Sequence, residues 1–190
     1  MGHRAPPQAR PVDMGLPSGL LWASCNIGAE RPSDLGLYFS WGNTEGHEEG
    51  SGYNFNQAEY NTTPGSAIAA NLSLTEDAAR TILGVPWRMP TSAEFLELYN
   101  NCTTVWSTLN GVKGLVFTSN VNGNSIFFPA AGYYSGTSLV SVNGFGYYWS
   151  STYWSESDAR LLRFNNASVN PQNNYYRRLG FPIRPVVPSL

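Results

Sequence analysis

The sequence predicts an α+β domain, with two helices packed against short antiparallel strands in a loop-rich fold. Three observations predict it. Strand-like runs come first, two helical patterns follow, and turn-punctuated strands fill the rest, so helices and strands are segregated along the chain. Charged residues make up only 13% of the chain, with Gly, Asn, Ser and aromatics in their place, a composition that suits short strands and many turns. A chain of 190 residues is long enough for one domain with a substantial core.

The elements follow in order. Residues 1–11 carry Pro, Gln and Arg without an apolar run, and read as a disordered leader or expression remnant rather than a signal peptide. Residues 12–190 read as a single domain. Leu16-Pro17-Ser18-Gly19 is a turn, and Leu20-Leu21-Trp22-Ala23 a short buried strand. Gly36 to Gly42 is an apolar-aromatic strand, and the polar stretch 43–66 is a long loop of the kind that is functional or mobile. The first helix is expected from about Leu74 to Leu83, capped by Ser73 or Thr75 and ended by Gly84. The second follows Pro90, where Thr91 and Glu94 form a capping box and Phe95, Leu98 and Tyr99 fall on one face. Strands are expected from Gly111 onward. Gly114–Ser119 and Ser125–Phe128 flank Asn122-Gly123 as a hairpin, and the C-terminal strands follow.

Several function classes lose support at once. A net charge of −2 gives no basic surface for nucleic acid. No run of eighteen apolar residues could span a membrane. His47 with Glu45, Glu48 and Glu49 lacks ordered metal-ligand spacing and reads as a solvated acidic loop. No phosphate-binding Gly-rich loop follows a strand, and no Ser–His–acid set can be assembled. No catalytic residue, metal or cofactor is therefore expected. Cys25 and Cys102 fit either one disulfide or two buried thiols. Trp22, Trp41, Trp87 and Trp149 have apolar neighbours and read as core. Arg88 and Arg184 read as structural hydrogen-bond donors.

The last forty residues differ from the rest. Tyr, Trp, Arg, Asp and Asn stand there between apolar anchors, and Tyr, Trp and Arg dominate binding hot spots. Strand alternation divides the stretch. Leu162 and Phe164 share one face, so Leu161, Arg163 and Asn165 are expected on the other, exposed one. Gly180, Phe181, Ile183, Arg184, Pro185 and Val186 read as scaffold. The candidate ligand contacts are then Tyr148, Tyr153, Trp154, Asp158, Arg160, Leu161, Arg163, Asn165, Tyr175, Tyr176, Arg178, Leu179 and Pro182.

Five blocks carry a family resemblance. Val12-Asp13-Met14-Gly15-Leu16-Pro17-Ser18-Gly19-Leu20-Leu21-Trp22-Ala23 resembles the opening motif of the Fibrobacter succinogenes major paralogous domain, abundant in gut Bacteroidales. Tyr38-Phe39-Ser40-Trp41-Gly42, Trp87-Arg88-Met89-Pro90-Thr91 with Glu94 and Leu98, and Pro129-Ala130-Ala131-Gly132-Tyr133 resemble its middle blocks. Tyr148-Trp149-Ser150-Ser151 with Arg184-Pro185-Val186 resembles its close. The resemblance implies a C-type-lectin-like fold related to formylglycine-generating enzymes. Those enzymes need C-terminal cysteines, and residues 103–190 here hold none, so the activity is not expected. Calcium-dependent sugar binding is unsupported, because neither Glu-Pro-Asn nor Gln-Pro-Asp occurs.

Several members of the family look like the variable proteins of diversity-generating retroelements, in which adenines of a template are miscopied into the 3′ end of the target gene. The stretch Val169 to Arg177 resembles such a variable region, here about residues 147–186. The implied function is recognition of a variable protein or glycan ligand at an extracellular, cell or virion surface, with a fixed-sequence adhesin module as the rival. Mutating both adenines of an Asn codon ending in C reaches any residue encoded by a C-ending codon. Tyr175, Tyr176, Arg160, Leu161, Arg163 and Leu179 fit that set, whereas Trp154 and Glu156 do not.

Overall fold

The computed structural model describes residues 10–57 and 70–189. Within them the chain forms antiparallel sheets with two helices, an α+β arrangement. The readings of a leader at 1–9 and of a loop at 58–66 lie outside the described residues. Arg10 and Pro11 already belong to the fold: the Arg10 N–H donates to Ser24 Oγ, and Pro11 pairs with Ala23.

Strands β1 (Pro11–Asp13), β2 (Leu21–Ala23) and β11 (Val186–Val187) form one sheet, with β2 in the middle. Strands β3 (Cys102–Leu109), β4 (Val112–Ser119) and β5 (Ser125–Pro129) form a meander. Its second hairpin turns at Asn122-Gly123 as expected, with Gly123 at φ 75°. β3 is an addition to the reading, which began the strands at Gly111. Its run of Thr, Val and Trp is strand chemistry, and the Asn110-Gly111 turn joins it to β4. A small ribbon joins β6 (Tyr133–Ser135) to β7 (Ser138–Val140). The sheet that carries the candidate face runs in the order β10 (Val169–Tyr176), β9 (Asp158–Phe164), β8 (Gly146–Tyr153).

Helix α2 (Ser92–Asn100) has the expected capping box. Thr91 Oγ1 accepts from the Glu94 N–H, and the Glu94 carboxylate accepts from the Thr91 N–H. Phe95 and Leu98 are buried, whereas Tyr99 is exposed on the flank. Helix α1 is shorter than expected, Ala78–Leu83, and its cap is Asp77 rather than Ser73 or Thr75. The Asp77 carboxylate accepts from the Arg80 N–H and also from Met89 N–H, tying the helix start to the strand-like segment beyond it. Gly36–Gly42 is not a regular strand. Its backbone makes two bridges, Tyr38 to His47 and Phe39 to Phe181, and single bonds from the Leu37 and Trp41 N–H groups to the Ile27 and Arg177 carbonyls, because its neighbours are loops rather than strands.

Both faces of β8 and β9 are buried. One face sends Tyr148, Leu162 and Phe164 into a cluster with Trp22, Phe95, Leu98, Phe117 and Phe128. The other sends Tyr147, Trp149, Ala159 and Leu161 into a second cluster with Phe39, Trp41, Phe181 and Ile183. Trp149 stacks on Phe181 at 4.0 Å and its indole N–H donates to the Phe39 carbonyl. Cys25 and Cys102 are separate buried thiols. Arg184 is fully buried and donates to Asn26 Oδ1, the Ala23 carbonyl and the Phe127 carbonyl at 2.7–3.2 Å, with its guanidinium over the Phe128 ring. Arg88 grips Glu94 with two 2.7 Å bonds.

Candidate ligand-binding face

Register decides which candidates meet. Tyr175 pairs with Ala159 and Tyr176 with Asp158 across β9 and β10, and Tyr153 pairs with Ala159 on β8. Paired residues share a face. Tyr153, Tyr175 and, by alternation, Arg163 therefore lie on the side of the second cluster. Asp158, Arg160, Asn174 and Tyr176 lie on the side of α2. Irregularities between Trp149 and Tyr153, and between Asn170 and Asn173, re-aim the side chains at this end of the sheet.

Four candidates are corrected by burial. Tyr148 is 0% exposed, accepts from Asn26 Nδ2 and donates to the Pro129 carbonyl. Leu161 is 0% exposed. Alternation placed it opposite Leu162 correctly, but that second face is covered by residues 39–41 and 179–183 and not by solvent. Leu179 is 4% exposed in the same cluster, and Pro182 is buried beside it in the segment that covers the sheet. These four hold the scaffold.

The other nine reach the surface. Trp154 is 37% exposed and Tyr176 49%, and Arg178 is exposed with its guanidinium 5.7 Å from the Tyr176 ring. Tyr175 is half-buried and meets Tyr176 edge-on at 5.3 Å. Tyr153, Asp158, Arg160, Arg163 and Asn165 are half-buried. Arg163 lies over Phe145 at 4.8 Å, and Arg160 over Trp154 at 3.7 Å. These cation–π contacts hold the long arginine side chains in place while leaving their charge near water. Asn165 turns its side chain back onto the Ala167 and Ser168 N–H groups, closing the β9–β10 turn.

Residues the sequence did not flag complete the face. Tyr133 and Phe145 form a ridge with Tyr147 and Tyr175, with Tyr133 to Tyr147 at 4.9 Å and Tyr133 to Tyr175 at 6.0 Å. Burial, then the neighbouring Tyr175 and Tyr147 hydroxyls, pushes the Tyr133 phenol upward. Its place after Ala130-Ala131-Gly132 made it look like scaffold. Two hollows open on the α2 side. One, of about 230 Å³, lies between Asp158, Asn174, Tyr175 and Tyr176. The other, of about 240 Å³, is walled by Thr91 and Ser92 at the start of α2, by Thr152 and Asn71, and by Trp154, Arg160 and Gln172. Asn71 enters through a single bridge to Thr152, a long-range contact with no local signature.

His47 stacks on Tyr53 at 3.5 Å within an aromatic cluster with Phe55. Among the described residues no group of three or more His, Cys, Asp and Glu side chains is placed to hold a metal ion, and no helix is long and apolar enough to cross a membrane.

A family described as a domain of unknown function (DUF8237) matches residues 107–186. No curated protein and no solved structure matches the chain. The matched span contains every surface candidate but not α2, whose cap walls the larger hollow.

Proposed function

We propose that this chain is a non-catalytic ligand-binding protein of C-type-lectin-like fold. Its C-terminal face is diversified by a retroelement, through adenine-directed mutagenesis, to recognise protein or glycan targets at a cell or virion surface. One observation carries the reading. Among and around the buried anchors Trp149, Leu161, Phe164, Arg177 and Leu179, the side chains of Tyr153, Trp154, Arg160, Arg163, Tyr175, Tyr176 and Arg178 reach the surface. Substitution at such positions leaves the core intact, which a diversified site requires. Aromatic rings supply contact area at small entropic cost, and the arginines supply charge-assisted hydrogen bonds.

A specific observation favours the rival, a fixed-sequence adhesin module. Trp154 and Gln172 both wall the 240 Å³ hollow, and neither is encoded by a C-ending codon. The decisive experiment is to sequence the DNA around the gene. A near-copy of the segment for residues 147–186 beside a reverse-transcriptase reading frame, differing only at template adenines, is the expected result. Absence of any copy overturns diversification and leaves the fixed adhesin.

A further inference from the structure

The 240 Å³ hollow has a hydrogen-bonding polarity that selects its occupant. The Thr91, Ser92 and Thr152 hydroxyl acceptors on its wall and the Asn71 side-chain oxygen are already engaged. Thr152 Oγ1 accepts from the Ser92 N–H at 2.9 Å and donates to Asn71 Oδ1 at 2.8 Å. Ser92 Oγ accepts from Gln172 Nε2, and the main-chain carbonyl of Gln172 accepts from Arg160 Nη1 at 2.6 Å. Thr91 Oγ1 accepts from the Glu94 N–H.

The donors are left over. Arg160 spends one of its five N–H bonds on Gln172, and its Nε and Nη2 have no hydrogen-bond partner among the described residues. Asn71 has its oxygen committed to Thr152, which leaves its amide N–H₂ open. No carboxylate lines the hollow. Asp158, on the same sheet face, is engaged elsewhere: Oδ2 accepts from Asn174 and Oδ1 from Ser157. Among the described residues the salt bridges are Arg31–Asp34 and Arg88–Glu94, so Arg160 carries its charge without a counter-ion. Its Cζ lies 3.7 Å from the Trp154 ring centroid, which holds the guanidinium beside the indole.

We infer that this hollow is a carboxylate-binding subsite that takes an acidic side chain of a protein ligand. A planar guanidinium whose Nε and Nη2 are both free, beside an amide donor, matches the paired oxygens of a carboxylate. A protein side chain is favoured over an acidic sugar because Arg160 already covers an indole face on which a sugar ring would stack. The Tyr, Trp and Arg around the hollow are also the anchors of protein–protein hot spots. The inference rests on the binding-face reading above but not on diversification.

The test is a titration of the intact chain followed by ¹H–¹⁵N NMR at the Trp154 indole N–H and the Arg160 Nε–H. The probes are N-acetyl-glutamate methylamide, its glutamine counterpart, and the methyl glycoside of glucuronic acid. The glutamate compound is expected to shift both resonances to saturation, with the glutamine compound at least about tenfold weaker, the discrimination of a lost charge-assisted pair. Arg160→Gln is expected to reduce glutamate binding to the glutamine level, and Arg31→Gln, at an exposed arginine outside the binding face, to leave it unchanged. Equal binding of glutamate and glutamine compounds, absence of a saturating shift, or an unaffected folded Arg160→Gln variant would each overturn the subsite. Tighter binding of the glucuronide overturns the protein ligand in favour of an acidic glycan. The glutamate–glutamine comparison needs no variant, so misfolding of Arg160→Gln does not obscure it. A saturable glutamate site in a chain whose gene has no template copy removes diversification and keeps the subsite. The reverse outcome removes only the subsite.

Discussion

Residues 170–178 and 179–187 adjoin in the chain and are used in opposite ways. Every residue from Leu179 to Val187 is buried, whereas from Asn170 to Arg178 only Arg177 is. The second segment is threaded across the sheet face formed by Trp149 and Leu161, and it ends as the edge strand β11 beside β2. The first lies on β10, the outer strand of its sheet, and an irregularity near Asn170 loosens its pairing. Composition alone does not separate them, since both carry aromatics and arginine. What separates them is whether a second layer covers the side chain.

The largest effect should come from Arg184. Arg184→Met strands three acceptors in a dry interior, and urea unfolding should show a loss of about 3–5 kcal/mol. Preserved stability would mean that the buried guanidinium is not what holds β2 and β5 to the C-terminal segment. Next comes Leu161→Ala, expected to cost about 2–5 kcal/mol as a cavity under Trp149 and Phe181. Arg163→Ala, two residues along the same strand phase, should cost less than about 1 kcal/mol. Similar losses at 161 and 163 would erase the contrast between covered and open positions.

Within the surface stretch the comparison can be sharpened at two adjacent tyrosines. Tyr175 leans on Tyr133, Tyr147 and Phe181, so Tyr175→Ala should lower stability by about 1–2 kcal/mol. Tyr176→Ala should change it by no more than about 0.5 kcal/mol, as read by thermal unfolding.

The smallest effect concerns the α2 cap. Burial pushes the Glu94 carboxyl up, but the Arg88 hydrogen bonds, the Thr91 N–H and the guanidinium charge together hold it below its ordinary value. A lowered folded pKa means that Glu94 contributes stability in full above its unfolded value of about 4.3, and that this contribution is lost as pH falls through the folded value. Glu94→Gln should flatten the stability–pH curve in that acid range. An unchanged acid limb would remove Glu94 from the account.

The same contrast explains what was legible in the sequence. The burial of the aromatic blocks, the Thr91–Glu94 box and the Asn122-Gly123 hairpin are local patterns, and each appears where its residues place it, although Gly36–Gly42 is not the regular strand its pattern suggested. The phase of β9 was legible too, for Leu161 and Leu162 do point to opposite faces. Exposure was not, because residues 39–41 and 179–183 arrive from distant parts of the chain to cover the Leu161 face. Helix α1 starts late for a related reason. Local propensity allows Ser73, but Asp77 serves a helix N–H and the distant Met89 N–H at once. The larger hollow was legible only on one wall. Trp154 and Arg160 stood out as binding chemistry, whereas Asn71, Thr152 and the α2 cap join them only through tertiary packing.

The β1–β2–β11 sheet has a mechanical consequence. β1 and β11 both run antiparallel to β2, with Pro11 beside Ala23 and Val187 beside Leu21. The flanking strands are thus parallel to each other, and the fold is entered at one end of β2 and left at the other. Tension applied through these two strands pulls them lengthwise in opposite directions against the central one. The rungs on both sides of β2 then share the load together instead of opening one at a time, so a pull through the two strands meets a domain braced in shear.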